Sequence, residues 1–163
     1  MEFAPVRAAV YNWFRNQSGV TVIWADQASP RPPRPYATLK IISGTVKLGG
    51  QDNLRMDPVT GAFLLNGPRK ITVSCNVFGE EAVDILTGVR DSLDDPGVID
   101  DLDAQGLSVS EDGNVQDMTE ALETHFESRA QMDVIFMLQV ERLSSAQPIE
   151  KIGINGKPIV IKI

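Results

Sequence analysis

The run "RAQMDVIFMLQVERL" is the longest alternation in the chain: Met132, Val134, Phe136, Leu138 and Val140 fall on one side, Gln131, Asp133, Gln139 and Glu141 on the other. Successive side chains of a strand point to opposite faces, so this spacing commits the segment to a long strand with one buried face. Ile135 and Met137 make its middle apolar on both sides, so a helix or another subunit is expected over the second face too. A second alternation, "RKITVSCNVFG", puts Ile71, Val73, Cys75 and Val77 on one face and Thr72, Ser74 and Asn76 on the other.

Helical spacing appears twice. Val6, Ala9, Val10, Trp13 and Phe14 repeat at three- and four-residue intervals, with Pro5 suited to a first turn and "NQSG" as a stop. In "EEAVDILTGVRDSLDDPG", Ala82, Ile85, Leu86, Val89 and Leu93 form an apolar stripe. Glu80 and Glu81 favour the positive end of its dipole, Arg90 lies toward the other end, and Pro96 and Gly97 stop it.

The remaining strands are shorter. "VTVIWAD" and "YATLKIISGTVKL" are rich in β-branched residues. "LRMD" and "AFLL" flank a hairpin tip, "PVTG", and "GLSVSEDGNVQDMT" reads as two strands around Asp112 and Gly113, a dipeptide with strong hairpin preference. The end, "IEKIGINGKPIVIKI", is a further hairpin turning at Asn155 and Gly156. Its apolar last arm either pairs within the subunit or augments a neighbour's sheet, since an open edge there would invite aggregation. The expected class is α+β: a single mixed, mainly antiparallel sheet packed with a few α-helices. At 163 residues it forms one domain, residues 1–163, with 146–163 as a C-terminal hairpin or arm.

Between the first two strands lies "SPRPPRPY", with four prolines and two arginines in eight residues. An interdomain linker would need an independent core before it, and the preceding segment is too short for one. Pro30 to Pro33 and Pro32 to Pro35 satisfy the spacing read by polyproline-binding grooves, but both flanks are strands of the fold. Two readings stay open: a loop stiffened for an interface, or prolines that simply rigidify a long connection.

Charge and residue supply exclude several functions. A net charge of -7 argues against gripping nucleic acid through its phosphates. One cysteine, Cys75, and one histidine, His125, allow no internal disulfide and no zinc-type ligand set. Asp94, Asp95, Asp100, Asp101 and Asp103 lack the pattern of a calcium loop and read as a solvated face. His125 has acids nearby at Glu123 and Glu127, but no nucleophile elbow, P-loop or dinucleotide fingerprint accompanies it, so no enzyme, metal or cofactor is expected. "MEFAPVRAAVYNWF" has no basic leader and no membrane-spanning run, which predicts a soluble, cytoplasmically made protein with no membrane partner.

Three blocks carry a resemblance. "VTVIWADQASPRPPRPYATLKI", "RKITVSCNVFGEEAVDILTGVRDSL" and "VQDMTEALETHFESRAQMDVIF", in this order and spacing from about Val20 to about Val140, are similar to recurrent segments of phage neck and tail-terminator proteins. The resemblance implies a tail-terminator-like fold and structural work in the virion neck, at the head–tail junction, after assembly in the host cytoplasm. Such proteins form a ring, commonly a hexamer, that caps the tail tube, stops its polymerisation and joins it to the head connector, with DNA passing through the channel without specific binding. Its partners would be further copies of itself, the tail tube protein, the head–tail connector or adaptor, and the tail sheath. Another connector ring of the same neck, or a cellular adaptor presenting the proline strip, are the alternatives. Interface residues are then expected at Arg31, Arg34 and Tyr36 in the strip, Glu127 and Arg129 before the long strand, and Ile159, Ile161 and Ile163 at the end.

Overall fold

A computed structural model describes residues 3–27, 30–122, 125–144, 151–154 and 157–160. The fold divides into two compact units, residues 1–48 with 68–139, and 49–67 with 140–163.

The first unit opens with helix α1 (Ala4–Ser18), followed by β1 (Thr21–Trp24) and β2 (Tyr36–Lys47). Helix α1 buries the five residues that set its spacing, Val6, Ala9, Val10, Trp13 and Phe14. It ends where Gly19 takes φ 66° and returns its N–H to Arg15 O at 3.2 Å, a left-handed turn that costs glycine nothing. The long strands are β4 (Phe63–Phe78) and β9 (Arg129–Leu143), which run on into the second unit. Between them come α2 (Ala82–Asp91), a 3-10 turn (Ser92–Asp94), α3 (Pro96–Ala104), β5 (Leu107–Asp112) and β6 (Gln116–Asp117).

The strand order is β1-β2-β4-β9-β5, with β6 also on β9. β1 and β2 are parallel, whereas β2 with β4, and β5 and β6 with β9, are antiparallel. The sheet is therefore mixed and the class α+β, as the sequence predicts.

The helices cover one sheet face. Phe14, Leu86, Val89 and Leu102 pack with Leu39, Ile71, Val73, Cys75, Val77, Met132, Val134 and Phe136 in one cluster. The Trp13 ring sits edge-on to both Phe14 and Phe136, centroids 5.7 Å away in each case. Its indole N–H donates to Ser92 Oγ at 3.3 Å, which satisfies the polar end of a buried ring.

In the second unit β3 (Asn53–Met56) pairs antiparallel with the first residues of β4, closing the "PVTG" hairpin. Asp57 organises that tip by accepting from Thr60 Oγ1 at 2.7 Å and from the Val59 N–H at 2.9 Å. Arg55 on β3 pairs with Glu141 on β9 at 2.9 Å. At the carboxyl end β10 (Lys151–Ile154) and β11 (Lys157–Val160) pair antiparallel, as expected of a hairpin, with Ile159 opposite Ile152. The turn residues Asn155 and Gly156, and Ile161 and Ile163, lie outside the described residues. A further short pair, β7 (Glu120–Leu122) and β8 (His125–Glu127), precedes β9.

Two expectations are corrected. Asp112 and Gly113 do not turn a hairpin: the strands on either side, β5 and β6, both pair with β9. Gly113 instead lies against β9, its N–H 2.8 Å from Asp133 O, where any Cβ would sit 2.6 Å from that oxygen. The second correction concerns Pro96 and Gly97, which begin α3. Asp95 caps it through its side chain on the Gly97 N–H at 2.8 Å, and proline in the first turn forfeits no helical bond.

Candidate interface on the sheet face opposite the helices

Sheet alternation sends Thr72, Ser74, Asn76 and Phe78 away from the helices. Ser74 and Asn76 are nevertheless buried, at 5% and 8% exposure, so their polar groups need partners within the fold. Arg129 supplies one. Its Nη2 and Nε donate to Asn76 Oδ1 at 2.7 and 3.2 Å, and its guanidinium lies 5.4 Å from the centre of the Phe78 ring. Tyr36 stacks on the same Phe78, centroids 4.8 Å apart and planes within 12°. Gln131 completes the row by donating to Ser74 Oγ at 3.3 Å.

The proline strip borders this row for a topological reason. In the parallel register Thr21 lies opposite Tyr36 and Trp24 opposite Leu39, so the chain leaving β1 must travel back about 10 Å to start β2. A helix usually makes such a crossover. Here prolines with fixed φ span it as a stiff loop. Arg34 forms an ion pair with Glu127 of β8, and Pro35, after a cis peptide bond, packs on Gly79. Gly79 takes φ 141° and donates its N–H to Ser128 O at 3.0 Å, so the strip, the start of α2 and the approach to β9 meet at one point.

Together these elements enclose a shallow groove of about 370 Å3 whose lining includes Arg31, Lys40, Glu127 and Arg129. Its charge is basic in balance, because Glu127, the acid of that lining, is already paired with Arg34. Among the described residues, Lys40 has only a loose ion pair to Asp26, at 4.0 Å. Arg31 is exposed and makes no hydrogen bond or ion pair among the described residues.

Four of the residues expected from sequence are thus brought together, namely Arg31, Arg34, Glu127 and Arg129. Tyr36 is 3% exposed and acts beneath them through its stack. Ile159 belongs to β11 of the second unit. Sequence reasoning missed Lys40, Ser74, Asn76 and Phe78, although the polar half of the β4 alternation was the available signal.

Cys75 points into the core and is completely buried, and desolvation, with the Asp133 charge adding, pushes its thiol far above the ordinary range. Among the described residues no cluster of three or more His, Cys, Asp or Glu is placed to hold a metal ion, and no helix is long and apolar enough to cross a membrane.

Residues 4–162 match the family model described as phage neck terminator protein. The chain belongs to the phage neck terminator family. None of the curated proteins matches it. A phage neck terminator is a structural component of the virion neck, which implies interaction with other head and tail proteins.

Proposed function

We propose that this protein caps the end of the tail tube as a ring of identical subunits, most simply a hexamer, arrests tube polymerisation and joins the tail to the head connector. The observation that carries this reading is the family match, which runs over nearly the whole chain. The ring work requires no catalysis and no cofactor. Residues 1–163 act as one tail-terminator-like domain, with 146–163 as its carboxyl-terminal arm.

Physical features support the assignment. A chain of net charge -7 can line a channel that DNA slides through without sticking. The strip's arginines sit on a loop whose ordering cost is met on folding, through Arg34 with Glu127 and Pro35 on Gly79, so contact with an acidic partner loses less entropy. The same anchoring weighs against a cellular adaptor, because a proline-reading groove would first have to detach the strip. Arg31, Arg34, Tyr36, Glu127 and Arg129 are read as one interface region, and Ile159, Ile161 and Ile163 as a second.

The test is to mix the purified protein with its own tail tubes and image the tube ends by electron microscopy. Added ring density at one end, with growth stopped, is the expected result. Bare ends that keep growing would move the protein to another ring of the same neck. Charge reversal of Arg31 and Arg34 should reduce capping, and unchanged tail length and head joining would remove the strip from the interface.

A further inference from the structure

Arg31 and Lys40 lie toward the β1–β2 end of the strand order, one in the crossover and one on β2. At the opposite end is β5, and between β5 and α3 runs a second groove, of about 340 Å3. Asp94, Asp103, Glu111 and Asp112 line it together with apolar Ile99 and Val109. Ile99 is 41% exposed and gives the acidic groove an apolar floor residue. The cation that acts on this groove, Arg90, is bound to Asp91 and feels Asp94 and Asp112, so carboxylates remain in excess. Asp103 and Glu111 have no ion pair among the described residues.

Two copies that each carry -7 repel unless opposite patches face each other. This chain owns both patches, at different ends of one sheet. A bulge between Val109 and Glu111, with acids beyond it, discourages β5 from pairing its free edge strand to strand, which leaves side-chain contact as the route. We infer that neighbouring copies meet head to tail, Arg31 and Lys40 of one copy entering the groove between α3 and β5 of the next. Arg31, which has no ion pair among the described residues, then gains carboxylates from the neighbouring copy, and Ile99 is covered. Because the patches differ, the contact is heterologous and propagates until it closes, as a ring does. This inference rests on the ring reading above.

The test uses two full-length single variants, Arg31→Cys and Glu111→Cys, with Cys75 left in place because it is buried. Each variant, and their equal mixture, is assembled on tail tubes, oxidised and run on a non-reducing gel. A disulfide-linked dimer that appears in the mixture and is absent from either variant alone is expected. Assembly on tubes with neither the mixed dimer nor the charge-swap rescue below, or a dimer formed by Arg31→Cys alone, overturns the head-to-tail contact and leaves the ring reading standing. Failure of even the wild-type protein to assemble on tubes defeats both. A second measurement guards against a poor disulfide geometry: Arg31→Glu with Lys40→Glu should lower assembly about tenfold or more. Mixing that variant with Asp103→Lys, Glu111→Lys protein should restore it, and no restoration counts against the pairing.

Discussion

Arg129 reaches from β9 to β4 and donates from Nη2 to the Asn76 side-chain oxygen at 2.7 Å, on the sheet face turned away from the helices. Asn76 is 8% exposed, so its oxygen is largely withdrawn from water and takes the guanidinium as its partner. Arg129→Ala should therefore destabilise by about 1–3 kcal/mol, as expected when a buried acceptor is orphaned. Arg129→Lys should recover only part, because a single ammonium cannot place two donors on one oxygen while lying flat on Phe78. Urea unfolding of the three proteins measures this, and equal midpoints would show the contact to be without consequence.

Gly79 offers a sharper steric test. A Cβ there would lie 3.0 Å from Pro35 Cβ and 3.2 Å from Pro35 Cα, on a backbone already at φ 141°. Gly79→Ala should cost about 1–3 kcal/mol through conformation and contact together. A melting temperature unchanged from wild type would mean that the strip does not press on this glycine.

Cys75 should be silent to alkylating reagents while the protein is folded, because burial holds its thiol protonated and shields it. Modification at pH 8 should follow the unfolded fraction through a urea titration. Rapid labelling in native buffer would contradict the buried assignment.

At the β3–β4 tip, the Thr60 hydroxyl and then the Val59 N–H hold the Asp57 carboxyl below the usual carboxylate range. A carboxyl depressed on folding contributes stability above its unfolded value of about 3.9, and that contribution is lost as pH falls through the folded value. Thr60→Val should raise the Asp57 titration midpoint toward that of an ordinary aspartate, read by NMR from pH 2 to 6. An unmoved midpoint would exclude the hydroxyl as the cause.

Local periodicity explains which parts were legible in the sequence. Val6 to Phe14, Ala82 to Leu93, Ile71 to Val77 and Met132 to Phe136 each declare a face within one segment; α1, β4 and β9 bury those faces, α2 buries Ala82, Leu86 and Val89 with Ile85 half-buried, and the 3-10 turn buries Leu93. What escaped depended on the partner. Asp112 and Gly113 suit a hairpin locally, yet β9 is long enough to take both flanking strands. Pro96 and Gly97 looked like the end of one helix because proline just inside a helix start and proline just past a helix end give the same local pattern. The groove was half visible: Arg31, Arg34, Glu127 and Arg129 came from family resemblance, whereas Asn76 and Phe78 required the pairing of β4 with β9.

Both tryptophans of the chain, Trp13 and Trp24, are buried in the first unit, and residues 49–67 and 140–163 contain none. Intrinsic fluorescence is therefore a one-sided witness: it reports the melting of the helix-covered core directly and carries no indole signal from within the second unit. Should that unit loosen first, on heating or on meeting a partner, the emission spectrum would pass over the event while backbone circular dichroism recorded it. The interval between the two signals would give the second unit's stability without any added label.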